Sequence, residues 1–217
     1  MAGFFNYENK FMSGLNKVYD CMIVSAMWCL LAIPIITIGP ATTALYYTVN
    51  KSIRHNRGYA WKEFWSAFRS NFKQSTIVWL LNLLLIIIGL MDVYILKVLG
   101  DSIPLSDIIK VLMVAFMLFL VMWMFYVYPY IARFTIKTKP LIKNCAIIAM
   151  LNFHWTLLLL VLFVVCGIAF LFVPIFSLFV PGIFMVIANR ILEKVFRKYM
   201  SKEDIEAEDE RNREEYN

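Results

Sequence analysis

The chain has 217 residues, 61% of them hydrophobic and only 17% charged, with a mean hydropathy of +0.70. Ordinary soluble domains are roughly 45–50% apolar and about 25% charged, so this composition excludes a soluble enzyme or soluble binding module and fits one membrane domain. The net charge is +6, but the basic residues stand in short stretches at the ends of apolar runs. Membrane orientation explains that pattern, and nucleic-acid binding is not implied.

The opening stretch Met1–Asp20 contains Glu8 and Asp20 and lacks the apolar centre of a cleaved signal peptide. Tyr7, Phe11, Leu15 and Val18 give it a weak helical stripe. An apolar run starts near Cys21 and closes at Pro34-Ile35-Ile36-Thr37-Ile38-Gly39-Pro40. A second helical stretch follows and ends in Lys51 and Arg54, which reads as a membrane hairpin with a Pro/Gly turn. Thr37, Thr42, Thr43 and Thr48 make the return arm unusually polar. Such hydroxyls bond back to a carbonyl four residues earlier or line a helix contact. Pro34, Thr37, Gly39, Pro40, Thr42 and Thr43 are therefore candidates for helix packing or a partner surface. Pro40 to Lys51 spans only about 16 Å as a helix. Either Lys51 and Arg54 snorkel to extend it, or the arm re-enters, buried against other helices, and five crossings remain.

In Tyr59–Lys73, the residues Trp61, Phe64, Trp65, Phe68 and Phe72 recur at helical spacing, with Lys62, Arg69 and Lys73 on one flank. This is either an interfacial helix with its aromatics in the acyl region or a helix packed on the protein's own bundle. Both can hold at once. Asn71 and Lys73 then lead into the apolar run Thr76–Leu96, which pairs with Ile108–Ile131. Leu141–Phe153 occupies the third introductory place, and Trp155–Val173 begins the third hairpin. Each of the three runs is near the length of about 20 residues that crosses a bilayer core.

Leu15-Asn16-Lys17, Asn71-Phe72-Lys73 and Asn152-Phe153-His154 each precede an apolar run, and hydroxyls follow the second and third Asn at Ser75 and Thr156. Pro34 and Pro40 correspond to Pro174 and Pro181. The pattern predicts an all-α polytopic bundle with a threefold repeat. It has about six crossings in three hairpins (about 20–54, 75–133 and 154–198), each preceded by an amphipathic interfacial helix. Three basic clusters, Lys51–Lys73, Arg133–Lys143 and Arg190–Lys202, are expected on the cytoplasmic side with both termini. Residues 1–202 form one integral domain. The tail 203–217, with eight acids and two Arg, is a solvated helix extension or a disordered end.

Chemistry is sparsely marked. Cys21, Cys29, Cys145 and Cys166 have no metal spacing and read as small buried hydrophobes. No phosphate-binding loop, nucleophile elbow or metalloprotease motif occurs, so no metal, cofactor or catalytic residue is expected. The polar residues inside or beside apolar runs are Asn82, Asp92, Asn152 and His154, the default functional candidates in a bilayer. Asn82 is expected to hydrogen-bond between helices. Asp92 is expected at the outer interface, solvated or paired with Lys97. His154 is expected as an interface anchor or a titrating group.

The run Ala32–Tyr46 and the block Phe64–Gln74, with the opening Tyr7, Gly14 and Asp20, resemble the YesL-like family of bacterial membrane proteins. The resemblance implies a multi-pass protein without known catalytic residues, and an accessory role beside carbohydrate ABC importers. The expected function is therefore a non-enzymatic accessory protein whose partners are the lipid bilayer and a transporter permease. Thr42→Leu or Thr43→Leu would weaken co-purification. The alternative is a small autonomous transporter or channel. A membrane enzyme is disfavoured, because Asp92 and His154 fall at opposite faces.

Overall fold

Helix accounts for every regular element among the described residues of this computed structural model, which are 2–99, 106–134, 136–172 and 178–214. Side chains are described over 14–98, 106–134, 136–172 and 178–210. The stripe residues Tyr7 and Phe11 and the turn residue Pro174 lie outside those ranges. The helices are α1 (Ala2–Ala32), α2 (Ile38–Thr48), α3 (Ala60–Leu99), α4 (Ser106–Arg133), α5 (Thr138–Leu151), α6 (Phe153–Phe172), α7 (Val180–Arg197) and α8 (Lys202–Glu214). A 3-10 turn, Ile35–Thr37, leads into α2, and a π-helical turn, Val49–Arg54, follows it.

Four stretches are long and apolar enough to cross a membrane: Gly14–Ala32, Ala60–Val98, Ser106–Arg133 and Phe153–Phe172. The chain is thus a membrane protein by the length and composition of its helices. α2 and α7, the return arms of the expected first and third hairpins, are not among the four. α2 has 11 residues, and α7 carries Arg190, Glu193, Lys194 and Arg197 within its 18.

The separate interfacial helices expected before the first two hairpins are not separate. α1 runs unbroken for 31 residues, and α3 for 40. No Pro or Gly stands between Ala60 and Ile88, so nothing in the local sequence stops the helix. At 1.5 Å per residue α3 is about 60 Å long, roughly twice a bilayer core. Only the third introduction is a distinct helix. α5 ends at Asn152, whose backbone leaves the helical region at φ −114° and ψ 41° while its N–H still reaches the Ile148 carbonyl at 3.0 Å.

α2 is the centre of the molecule. Gly39, Pro40, Ala41, Thr43, Ala44, Leu45, Tyr46 and Thr48 are all buried, and the helix packs on α1, α3, α4 and α7. Pro40 sits in its first turn, where a missing N–H costs little. The tightest packing gathers at the basic end, where Tyr46, Phe64, Tyr126 and Phe196 are wholly enclosed. In contrast, α3 beyond Asn82 and the first half of α4 turn most of their Leu, Ile and Val side chains outward, as lipid-facing segments do.

Three seams join the arms of the expected hairpins. On α2, Gly39 lies so close to α3 that an added Cβ would stand 2.7 Å from the Ser75 carbonyl oxygen; one turn on, the Thr43 and Ser75 hydroxyls share a hydrogen bond of 2.9 Å. On α7, Gly182 presses on α1, and its N–H donates to Ser25 Oγ at 2.9 Å. Between α4 and α6, the Tyr126 and Thr156 hydroxyls meet at 2.9 Å. Each seam joins the first arm of one expected hairpin to the second arm of another, and each uses a hydroxyl from the first arm.

Candidate functional site

The buried face of α7 includes Met185, Ala188, Asn189, Leu192, Glu193 and Phe196. That spacing turns Glu193 into the bundle, where its side chain is only 3% exposed. Its two oxygens are both engaged. Tyr46 Oη on α2 donates to one at 2.6 Å, and the Arg133 guanidinium at the end of α4 donates to the other. Arg133, 8% exposed, also donates to Glu208 on α8 at 2.6 Å and reaches Met200 Sδ at 3.2 Å. Beside it Arg54 Nη1 donates to Asn189 Oδ1 at 3.1 Å, and Arg197 Nη2 to Asp209 at 2.6 Å. A buried carboxylate is tolerated only when paired and hydrogen-bonded. Here one Glu fastens α2, α4 and α7 together, and two acids of α8 dock the tail helix on the arginines.

His55 closes the adjacent loop, its Nδ1–H donating to the Asn50 carbonyl at 2.7 Å. Partial burial pushes its pKa below the ordinary value, the Asn50 hydrogen bond opposes that, and the charges of Arg54 and Arg57 add to the lowering. With the folded-state pKa depressed, the unfolded chain binds the proton more readily, so stability falls as pH drops below about 6.5. Thermal unfolding in detergent between pH 8 and pH 5 should show that loss, and His55→Gln should reduce it. An unchanged slope in the variant would refute the assignment.

A second feature lies deeper along the helices. A cavity of about 500 Å³ opens between α1, α2, α3, α4, α6 and α7, and its walls are almost wholly apolar. The indoles of Trp28 and Trp79 line it and are satisfied, by Thr42 Oγ1 at 3.1 Å and the Ile35 carbonyl at 2.6 Å. Tyr128, 3% exposed, is also among its lining residues, and its buried hydroxyl has no hydrogen-bond partner among the described residues.

The residues singled out from sequence fall into three groups. Those of the first hairpin are mostly consumed within the chain. Gly39, Pro40 and Thr43 are buried, Thr42 accepts from Trp28, and the Thr37 hydroxyl donates to the Leu31 and Pro34 carbonyls; Pro34 itself is exposed. The aromatic stripe of α3 splits. Phe64 and Phe68 are buried in the bundle, while Trp61 is 53% and Trp65 37% exposed. Lys62 lies over the Tyr59 and Trp61 rings, Arg69 over the Trp65 ring at 4.9 Å, and Trp65 stacks on Phe68. Asn71 folds back on the Ala67 carbonyl at 3.0 Å, and Lys73 is exposed.

The intramembrane candidates stay scattered. Asn82 is buried, but neither end of its amide has a partner, so the expected interhelical bond is not made. Asp92 is half-exposed and forms no ion pair with Lys97 among the described residues. Asn152 donates to Ile148 O and to Tyr199 Oη at 2.8 Å, tying the α5–α6 junction to the end of α7. His154 is exposed and rests against the Trp155 ring. The cysteines form no disulfide among the described residues, and two are buried and two half-buried.

Sequence reasoning passed over Glu193, Tyr46 and the structural role of Arg133. Glu193 did leave a signal: it is the lone acid within the run Arg190–Lys198, spaced four from Asn189 and three from Phe196 on the apolar face. Residues 21–93, which run from α1 through α2 into α3, match the model of a family described as "Protein of unknown function, DUF624". No curated protein and no solved structure gives a match. The chain is therefore similar, over its first hairpin and the helix that follows, to a family whose description assigns no activity.

Proposed function

We propose that the chain is a non-catalytic membrane accessory protein that binds another integral membrane protein through the exposed face of α3, with the permease of a carbohydrate ABC transporter as the first partner to test. One observation carries this reading. Trp61, Trp65, Lys62 and Arg69 form a preassembled aromatic–cation face at one end of a helix about twice as long as the bilayer core is thick. Trp and Arg are the residues that dominate protein interfaces, and here the cation–π pairs already hold them in place. The permease follows from the resemblance to the YesL-like family, and the basic end would face the cytoplasm. The apolar walls of the cavity give no support to independent sugar transport, since a sugar needs hydrogen-bonding groups along its path.

Thr42 and Thr43 are engaged internally, so their substitution would report on the fold, and the test moves to α3. Crosslinking mass spectrometry on native membranes should join Ala60–Lys73 to a permease subunit. Trp61→Ala and Trp65→Ala should each cut partner recovery about ten-fold, as loss of an interface anchor does, with insertion unchanged. Links confined to copies of this chain, or full recovery in both variants, would overturn the proposal.

A further inference from the structure

We propose that Arg54, Arg133 and Arg197 form a binding site for the phosphate of an anionic membrane lipid, and that α8 fills this site with its own carboxylates until lipid displaces it. Glu208 and Asp209 are consecutive on α8, and each meets one of these arginines, Arg133 and Arg197, at 2.6 Å. The two guanidiniums therefore flank one short stretch of the helix. Arg54 belongs to the same cluster. Burial and the charges of Arg197 and Arg190 push its pKa down, while Tyr46 and Glu208 push it up. Once α8 leaves, Arg133 Nη1 stays on Glu193, but Arg133 Nη2 and Arg197 Nη2 lose their carboxylate acceptors. Among the described residues Glu193 is then the one carboxylate still paired with any of the three, so two positive charges are in excess. The guanidinium fork matches the oxygens of a phosphate as well as those of a carboxylate.

The attachment of α8 suits a displaceable occupant. No described side chain of the helix is buried, and its one large apolar residue, Ile205, is half-buried. Charge holds the helix in place, and partly exposed ion pairs such as Arg197–Asp209 are individually weak. Depth selects lipid over a soluble anion. Arg133 closes the membrane-length segment Ser106–Arg133. Lys194 lies 5.3 Å over the ring of Trp155, the third residue of the membrane-length helix α6, and Trp is characteristic of the membrane interface. Arg197 follows Lys194 by one turn, about 4.5 Å further along α7. Both guanidiniums thus lie at the level of the headgroup layer, about 5–8 Å deep on each side, where lipid phosphate is the concentrated anion.

The experiment titrates the full chain in neutral detergent micelles with short-chain phosphatidylglycerol, and in parallel with phosphatidylcholine and with inorganic phosphate at matched ionic strength. Native mass spectrometry counts bound lipid, and hydrogen exchange follows the α8 amides. Phosphatidylglycerol is expected to bind saturably and to speed α8 exchange, and the other two to leave α8 protected. Two variants spare the buried Arg133–Glu193 pair. Glu208→Gln with Asp209→Asn neutralises the occupant and should tighten phosphatidylglycerol binding about ten-fold. Arg197→Gln removes one donor from the site and should weaken binding about ten-fold, the worth of one charged hydrogen bond. Both variants loosen α8, so their opposite effects on lipid distinguish a binding site from a simple latch. Equal phosphatidylglycerol affinity in the three proteins would overturn the proposal. So would α8 exchange that ignores phosphatidylglycerol, or that responds equally to phosphatidylcholine or to inorganic phosphate.

Discussion

Arg133→Leu is expected to destabilise the bundle by about 3–5 kcal/mol, the cost of a buried carboxylate stripped of its cation. Glu193 would keep Tyr46 Oη as a donor but would lose the guanidinium that neutralises it, and Glu208 would lose its anchor. The reverse change, Glu193→Leu, strands Arg133 less severely, because Glu208 still pairs with it. The double variant Arg133→Met with Glu193→Leu replaces the pair by apolar groups of similar size and should recover most of the stability. Equilibrium or thermal unfolding in detergent would measure all three. A double variant no better than Arg133→Leu would show that the cluster does not act as a unit.

Gly39→Val should cost about 1–3 kcal/mol or more, the penalty of overpacking a close contact. A Cβ there would stand 2.7 Å from a backbone oxygen and 2.8 Å from Trp79 Cβ, neither of which is the loose end of a side chain. α2 would have to back away from α3, breaking the Thr43–Ser75 bond. Ser75→Ala removes that bond without moving the helices, so it should cost only about 1 kcal/mol. Equal losses in the two variants would mean that the hydroxyl pair, and not the close approach, holds this seam. The measurement is again unfolding in detergent, with insertion checked separately.

Composition, the apolar runs and the Pro/Gly punctuation made the helical membrane class legible, and the boundaries of α4 and α6 came close to the apolar runs that foretold them. The unity of α3 was not legible. A change from amphipathic to uniformly apolar sequence looks like a change of element, yet the backbone needs a breaker to stop, and none stands between Ala60 and Ile88. The split of the aromatic stripe was hidden for a related reason. Periodicity marks an apolar face but cannot separate burial in protein from burial in lipid, so Phe64 and Trp61 looked alike. Glu193 was masked by its neighbours, because charge counting treats one acid among Arg190, Lys194 and Arg197 as part of a solvated cluster. Only the helix register shows that it faces inward. The partnerless hydroxyl of Tyr128 has no signature in a sequence at all, since it depends on what the surrounding helices leave beside it.

The contact between Gly182 and Ser25 joins residues 157 positions apart, and this separation has a consequence for biogenesis. In chain order α1 and α4 both precede α7, so Cys21 and Ser25 are made before their Gly182 contact and Arg133 before its Glu193 partner. α7 then delivers both missing parts, the small residue that fits against α1 and the carboxylate that neutralises Arg133. Until it does, Arg133 lacks the buried carboxylate that neutralises it, and an unpaired charge beside apolar segments is costly.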